Sequence, residues 1–140
     1  MMISTKGRYA LRVMLDLAQQ KNENEFMSLK GVAAEQEISV KYLEAIISKL
    51  HKSGLVLSHR GKEGGYQLAK PADQISVAEI VRSAEGSLTP VACASLEGEP
   101  CERAGCCLTL PLWRELDNLI ESYLTTVTLE DVLQGQVQPK

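Results

Sequence analysis

Three short helical patterns followed by a glycine-rich hairpin pattern occupy the first seventy residues, and this order constrains the fold more than any other feature. Apolar residues recur at helical spacing over residues 8–20. Ser28 stands as an N-cap before a short second helix, and Ser39 stands as an N-cap before a third. Glu37 and Ile38 lie between those two helices, which predicts a tight turn.

The third helix and the segment after it complete the pattern. The apolar stripe of this helix has the spacing i, i+3, i+4, i+7 and consists of Leu43, Ile46, Ile47 and Leu50. Gly54 follows at the position where a left-handed residue ends a helix. Two β-forming runs, residues 55–58 and 66–68, flank the loop 60–65, whose three glycines are typical of a hairpin tip. This order of elements predicts a winged helix-turn-helix.

The second half of the chain predicts helices around an irregular loop. Ser76 and Glu79 form a capping box for a fourth helix, which Gly86 ends. Residues 87–107 show no period and are predicted to be a loop. A long amphipathic helix is predicted from about Thr109 to 127, and the chain then has a capping pair for a final short turn, Thr128 and Asp131.

The predicted fold class is mainly α with a small β-hairpin wing (α+β). A length of 140 residues suits one modest domain, or a small domain with an appended arm. The predicted divisions are a winged helix-turn-helix at 1–70, a connecting helix at 71–90, a cysteine-rich loop at 91–107, a long helix with a short final helix at 108–134, and a flexible tail at 135–140.

Charge is divided between the two halves. Residues 1–70 hold eleven Lys and Arg against seven Asp and Glu, a net charge of +4, and residues 71–140 hold four against eleven, a net charge of −7. The first half therefore suits a polyanion such as DNA. The outer face of the third helix offers candidate contacts to the major groove and to phosphates at Lys41, Tyr42, Glu44 and Lys49. Arg60 and Lys62 at the wing tip suit a narrow minor groove.

All four cysteines of the chain fall within fifteen residues: Cys93, Cys101, Cys106 and Cys107. The chain shows no apolar signal segment or membrane-length run, so a cytoplasmic location without a membrane partner is expected. In such a compartment, clustered thiols favour a metal centre or redox chemistry over disulfides. The spacing lacks the paired knuckles of structural zinc and better suits an iron–sulfur cluster, with three cysteines as ligands and one spare.

The chain resembles the bacterial winged helix-turn-helix regulators typified by IscR, NsrR and CymR. The resemblance covers nearly the whole length, and the order and spacing of its motifs make it specific. The motifs are Ser4–Ala10, Tyr42-Leu43-Glu44, the wing Arg60-Gly61 with Gly64-Gly65-Tyr66, Leu112-Trp113, and Thr128-Leu129-Glu130-Asp131.

This resemblance implies a transcriptional regulator rather than an enzyme. It implies a homodimer held by the long helix from about 109 to 127, with each recognition helix in one half-site of a pseudo-palindromic DNA operator. It also implies base or backbone contacts from Ser39, Lys41, Tyr42 and Glu44, and insertion of Arg60 into the minor groove.

For members that bind a cluster, the resemblance implies an iron–sulfur centre on Cys93, Cys101 and Cys107, with [2Fe-2S] favoured over [4Fe-4S]. It implies that operator binding reports iron–sulfur, redox or nitric oxide status. Leu110 stands where IscR has a ligating histidine, so the fourth ligand is open. The candidates are Cys106, a carboxylate such as Glu97 or Glu99, a backbone group and an exogenous small molecule.

Three other functions also fit the cysteine pattern. One is a thiol-based regulator of the same family without a metal. The second is a small iron–sulfur redox protein, although the sequence offers no constellation of catalytic acid, base and nucleophile. The third is an interaction module stapled by zinc. Metal analysis and salt-dependent DNA binding distinguish these functions from the favoured one.

Overall fold

A computed structural model describes residues 3–20, 25–62 and 64–137. Within these ranges the chain forms six α-helices and one antiparallel hairpin, which confirms the predicted fold class. In chain order the elements are α1 (Thr5–Ala18), α2 (Leu29–Gln36), α3 (Val40–Lys52), β1 (Val56–His59), β2 (Gly65–Leu68), α4 (Val77–Glu85), α5 (Leu110–Thr126) and α6 (Leu129–Leu133). In these ranges no helix is both long and apolar enough to cross a bilayer.

The first helix begins three residues before the predicted start at residue 8. Ser4 is its N-cap, and the Ser4 hydroxyl accepts a hydrogen bond from the backbone N–H of Lys6. The predicted start was wrong because the apolar pattern begins only at Tyr9, whereas the true start is set by a polar cap. The helix also ends earlier than predicted, at Ala18 rather than residue 20.

The predicted helix caps and the predicted turn are confirmed for α2 and α3. The Ser28 hydroxyl accepts from the N–H of Gly31, and the Ser39 hydroxyl accepts from the N–H of Tyr42, both at 3.1 Å. Glu37 adopts a left-handed conformation with φ of 55°, which turns the chain sharply between the two helices. This turn lets α3 bury its predicted apolar stripe in the main core. The core, including this stripe, is built mostly from aliphatic side chains.

The wing is a two-stranded hairpin with one extra anchor. Val56 pairs with Leu68 and Ser58 pairs with Tyr66. The first strand begins one residue later than predicted, and the second begins one residue earlier. Met27 exchanges two backbone hydrogen bonds with Tyr66, at 2.9 and 2.8 Å, and so forms an isolated antiparallel bridge beside β2. A Cβ atom at Gly65 would lie 2.1 Å from the Met27 carbonyl oxygen, so only glycine permits this approach.

The second half forms a smaller core beside the first. Both predicted capping boxes are present, at Ser76 with Glu79 and at Thr128 with Asp131. The fourth helix contacts α1, α3 and α5, and it therefore joins the winged unit to the long helix. The small core consists of Val77, Ala78, Val81, Leu88 and Val127.

The segment 87–107 is irregular, as predicted, except for one turn of 3₁₀ helix at Ala94–Glu97. This turn was missed because four residues are too few to show a period. Gly98 ends the turn with φ of 82°, a left-handed conformation that suits glycine. The polar segment 21–25, for which the sequence predicts a loop, and the predicted tail at 135–140 fall partly on residues 21–24 and 138–140, which lie outside the described ranges.

Candidate functional site

The outer face of α3 is open to solvent at its first turns. Lys41 and Glu44 are exposed, and Ser39 is exposed while its hydroxyl caps the helix. Tyr42 is half-buried, because its ring packs edge-on against Tyr9 with 6.0 Å between the ring centroids. Four of the seven residues that the sequence predicted as DNA contacts therefore lie together at the start of α3.

Lys49 differs from the other predicted DNA contacts. Its ammonium group donates a hydrogen bond to the backbone carbonyl of Ala84 at 3.2 Å, in a part-buried position near the end of α4. A phosphate contact by Lys49 stays a prediction, and the bond to Ala84 competes with it.

The wing presents Arg60 and Lys62, both exposed, at the end of β1. A backbone hydrogen bond from the N–H of Gly64 to the carbonyl of Gly61, at 3.1 Å, closes the tip. At the base of the tip, the exposed ring of His59 stacks on Phe26 with 4.8 Å between the ring centroids. The geometry thus supports two exposed cations on a hairpin that is fixed at its base.

The sequence did not predict Glu85, which ties α4 to the start of α1. One carboxylate oxygen of Glu85 accepts hydrogen bonds from the Ser4 N–H at 2.8 Å, the Ser4 hydroxyl at 2.6 Å and the Gly7 N–H at 2.9 Å. Burial opposes ionisation of this carboxyl, but the hydrogen bonds from Ser4 and Gly7 and the charge of Lys6 hold its pKa below the ordinary value. The one signal in the sequence was Gly7, a helix-disfavouring residue inside the opening motif.

All four cysteines are free thiols on the loop and its exit toward α5. Cys93 and Cys107 are half-buried, and Cys101 and Cys106 are exposed. The Cys107 sulfur lies 3.4 Å from the Thr109 hydroxyl oxygen. Hydrogen bonds lower the pKa of the Cys107 thiol. The largest contribution comes from the Thr109 side chain, and smaller ones come from the backbone of Thr109 and Leu110.

The donor set suits an iron–sulfur cluster by its chemistry, because thiolates are the usual ligands and none is in a disulfide. The arrangement is not that of an assembled site: no three His, Cys, Asp or Glu side chains in the described ranges come together as metal ligands. Holding a cluster would therefore require the loop to bring three sulfurs closer together.

Helix α5 carries an apolar face that its own chain leaves largely uncovered. Leu112 and Leu119 expose 60% and 58% of their surface, and Leu116 is also exposed. Within this helix, Leu110 is the residue that falls in the buried class. The spacing of the three leucines, i, i+4 and i+7, places them on one side of the helix.

Comparison with known proteins places these features in a family. Residues 3–135 match the family Rrf2, described as "Iron-dependent Transcriptional regulator". The chain is 40% identical over 136 residues to the HTH-type transcriptional regulator IscR of Photorhabdus laumondii subsp. laumondii, an alignment that covers 97% of this chain and 81% of that relative. The prediction of a regulator rather than an enzyme is confirmed by these matches.

Two solved structures share the fold. CymR, the global cysteine regulator of B. subtilis, superposes with a TM-score of 0.76 at 37% identity, covering 96% of this chain and 98% of that one. The IscR of T. potens superposes with a TM-score of 0.71 at 37% identity, covering 96% and 88%. The chain belongs to the Rrf2 family of DNA-binding transcriptional regulators.

Proposed function

We propose that this regulator is a cytoplasmic homodimer that binds a pseudo-palindromic operator with two copies of α3 and two wings, under the control of the cysteine loop. The observation that carries the proposal is the division of α3. Its apolar stripe is buried, while Lys41 and Glu44 face solvent, and the wing tip is exposed as well. A helix that enters the major groove needs this division.

The DNA contacts follow from position and chemistry. Ser39, Lys41, Tyr42 and Glu44 lie on the first turns of α3, where a recognition helix meets base edges and flanking phosphates. The Ser39 hydroxyl uses a lone pair to cap α3, so its hydrogen is left to donate to a phosphate oxygen. Arg60 and Lys62 extend from the wing toward the adjacent minor groove.

The homodimer is supported by α5. Leu112, Leu116 and Leu119 are all exposed on one side of α5. Exposed apolar side chains grouped in this way are typical of an interface. The spacing of these leucines is that of the apolar stripe along which two helices pack against each other. In a two-fold dimer, the stripe of each chain is buried against the same stripe of the other chain. Dimerisation sets the distance between the two copies of α3, and consecutive half-sites lie about 34 Å apart along DNA.

Control by the loop is proposed through an iron–sulfur cluster on Cys93, Cys101 and Cys107, [2Fe-2S] in preference to [4Fe-4S]. When bound, such a cluster supplies a centre whose stability responds to oxidants, nitric oxide and iron supply. The chain's own contribution is positional. The loop leaves α4 at Gly86 and enters α5 at Leu110, so its shape affects how these two helices sit together. The candidates for a further ligand are Cys106, a carboxylate such as Glu97 or Glu99, a backbone group and an exogenous small molecule.

A second candidate function is a thiol-based regulator without metal. The observation that favours it is the half-buried Cys107, whose thiol has a lowered pKa because of the hydrogen bonds from Thr109. A thiolate is the reactive form of cysteine, so this sulfur suits reversible oxidation.

Anaerobic purification tests the two candidates directly. We expect iron and acid-labile sulfide in the unsubstituted protein and loss of both in Cys93→Ser, Cys101→Ser and Cys107→Ser, with a matching change in operator affinity. Cys106→Ser is measured alongside: iron retained in this variant assigns Cys106 as the spare thiol, and iron lost assigns it as a further ligand. Protein without iron whose operator binding responds to peroxide through Cys107 alone would support the thiol regulator. Protein without iron and without any response to these substitutions would contradict both.

A further inference from the structure

The last turn of α4 is hydrogen-bonded to the second half of α3. The Ser83 hydroxyl donates to the backbone carbonyl of Lys49 at 3.0 Å, and its oxygen lies 2.7 Å from the Ser53 hydroxyl. Because Ser83 has a single hydroxyl hydrogen, Ser53 is the donor in the second bond. With the bond from Lys49 to Ala84, three hydrogen bonds join the two helices. We call Lys49, Ser53, Ser83 and Ala84 the α3–α4 clasp.

Lys49 is well suited to a structural role in this clasp. The carbonyl of Ala84 is among the last four of α4, which have no partner inside the helix. A cation at that end also interacts favourably with the helix dipole. The Lys49 side chain lines a small cleft of about 90 Å³ together with Lys6, Tyr42, Ala45, Ile46 and Ala84. The ammonium group of Lys49 reaches α4 through its hydrogen bond to the Ala84 carbonyl.

The clasp lies at a junction between three parts of the molecule. Glu85, the next residue of α4, binds the start of α1 through Ser4 and Gly7. Gly86 then reverses the chain with φ of 85°, and Leu88 is buried in the small core. The same turn of α4 therefore holds α1, holds α3 and begins the cysteine loop.

We propose that Lys49 and Ser83 are positioning residues, which fix the orientation of α3 relative to α4 so that the first turns of α3 meet base edges. Lys49 acts through its bond to Ala84 and not as a phosphate contact. The proposal rests on the proposed function in one respect, namely that α3 reads the operator. It accounts for the hydrogen bond that a lysine of the recognition helix makes to the carboxyl end of α4.

The test compares operator DNA with a non-specific duplex of equal length, over a series of salt concentrations. Ser83→Ala is expected to lower operator affinity by about threefold to thirtyfold while binding to the non-specific duplex is retained. Ser83→Thr keeps the hydroxyl and is expected to restore operator affinity. Lys49→Gln is expected to lower operator affinity to a similar extent with an unchanged salt slope, and the double variant to lose little more than either single one.

Lys41→Gln is the matched control, because it removes an exposed lysine from the same helix. A lost phosphate contact makes the negative slope of log affinity against log salt less steep by about 0.9. If Lys49→Gln makes this slope less steep by the same amount, or if Ser83→Ala binds the operator as well as the unsubstituted protein does, the proposal is overturned. If Lys41→Gln and Glu44→Ala leave operator binding unchanged, the proposed function is contradicted, because α3 then does not contact the operator. The positioning role of the clasp is contradicted by the same result.

Discussion

Helices α3 and α5 carry the same kind of apolar stripe, but the chain covers only one of them. In α3, Leu43 and Leu50 are completely buried by neighbouring helices of the same chain. In α5, Leu112 and Leu119 are more than half exposed, although the helix packs on α4. An apolar stripe alone therefore predicts that one face of a helix is buried, but not whether the same chain or another chain buries it. The stripe of α3 is buried in the core of its own chain, and for α5 we propose that a second copy buries the stripe.

The largest effect is expected from a core truncation in α3. Leu50→Ala removes a fully buried side chain and should lower the free energy of unfolding by about 2–5 kcal/mol, because a cavity is added to the lost apolar burial. Urea unfolding followed by circular dichroism measures the change. Leu119→Ala in α5 is the matched substitution, and it should mainly alter the concentration dependence of unfolding. An equal, concentration-independent loss in both variants would remove the distinction between the two helices.

A charge on the exposed stripe of α5 should break the proposed dimer. Leu116→Lys places two like charges near the two-fold axis and is expected to weaken self-association by roughly thirtyfold or more. Light scattering during size-exclusion chromatography measures the mass of the species in solution. Asn118→Lys is the control, since it lies about 200° around the helix from Leu116. Dimers of undiminished stability in Leu116→Lys would show that this face is not the interface.

The junction between α1 and α4 allows a matched test with two glycines. Gly7 and Gly31 are each the third residue of a helix that follows a serine cap. A Cβ at Gly7 would lie 2.7 Å from the Glu85 carboxylate oxygen, whereas one at Gly31 would lie 3.2 Å from the Ser28 hydroxyl. We expect Gly7→Ala to destabilise by about 1 kcal/mol, because it displaces a charged cap despite the better helix propensity of alanine.

The control Gly31→Ala should change the free energy of unfolding by only a few tenths of a kcal/mol, because the Ser28 hydroxyl oxygen must shift only slightly and the better helix propensity of alanine offsets that cost. Thermal unfolding of both variants at the same pH measures the difference. Equal behaviour of the two variants would show that Glu85 does not restrict residue 7.

The smallest effect is expected from the charge of Glu85 itself, and it depends on pH. The folded-state pKa lies below the ordinary value of 4.5, so the carboxylate contributes stability above that pH and loses it as the pH falls through the folded pKa. Glu85→Gln should therefore be less stable than the unsubstituted protein at neutral pH, and the difference should shrink below about pH 4.5. Urea unfolding at a series of pH values measures it. A difference that does not vary with pH would assign the role to packing rather than to charge.

The elements that sequence predicted correctly are set by nearby residues. Ser28, Ser39 and Ser76 each cap a helix through the residue three positions on, and Glu37 turns the chain by its own backbone conformation. The contacts of Glu85 with Gly7 and of Lys49 with Ala84 join residues 78 and 35 positions apart. No local pattern encodes such pairs, so they became visible only in the fold.

The cysteine loop shows a different limit of sequence reasoning. The types and spacing of Cys93, Cys101 and Cys107 indicate a thiolate-bound centre, and this remains a prediction. The chain by itself supplies little apolar burial between residues 92 and 107 to fix the positions of these sulfurs. Their arrangement depends on what binds them, which neither spacing nor hydropathy specifies.

The most direct test of the comparison between α3 and α5 is the number of chains bound to one operator duplex, measured by sedimentation equilibrium with labelled DNA. Two chains are predicted on a pseudo-palindrome for the unsubstituted protein, and single chains with much lower affinity for Leu116→Lys. One chain per duplex in the unsubstituted protein, or full operator affinity in Leu116→Lys, would contradict the account.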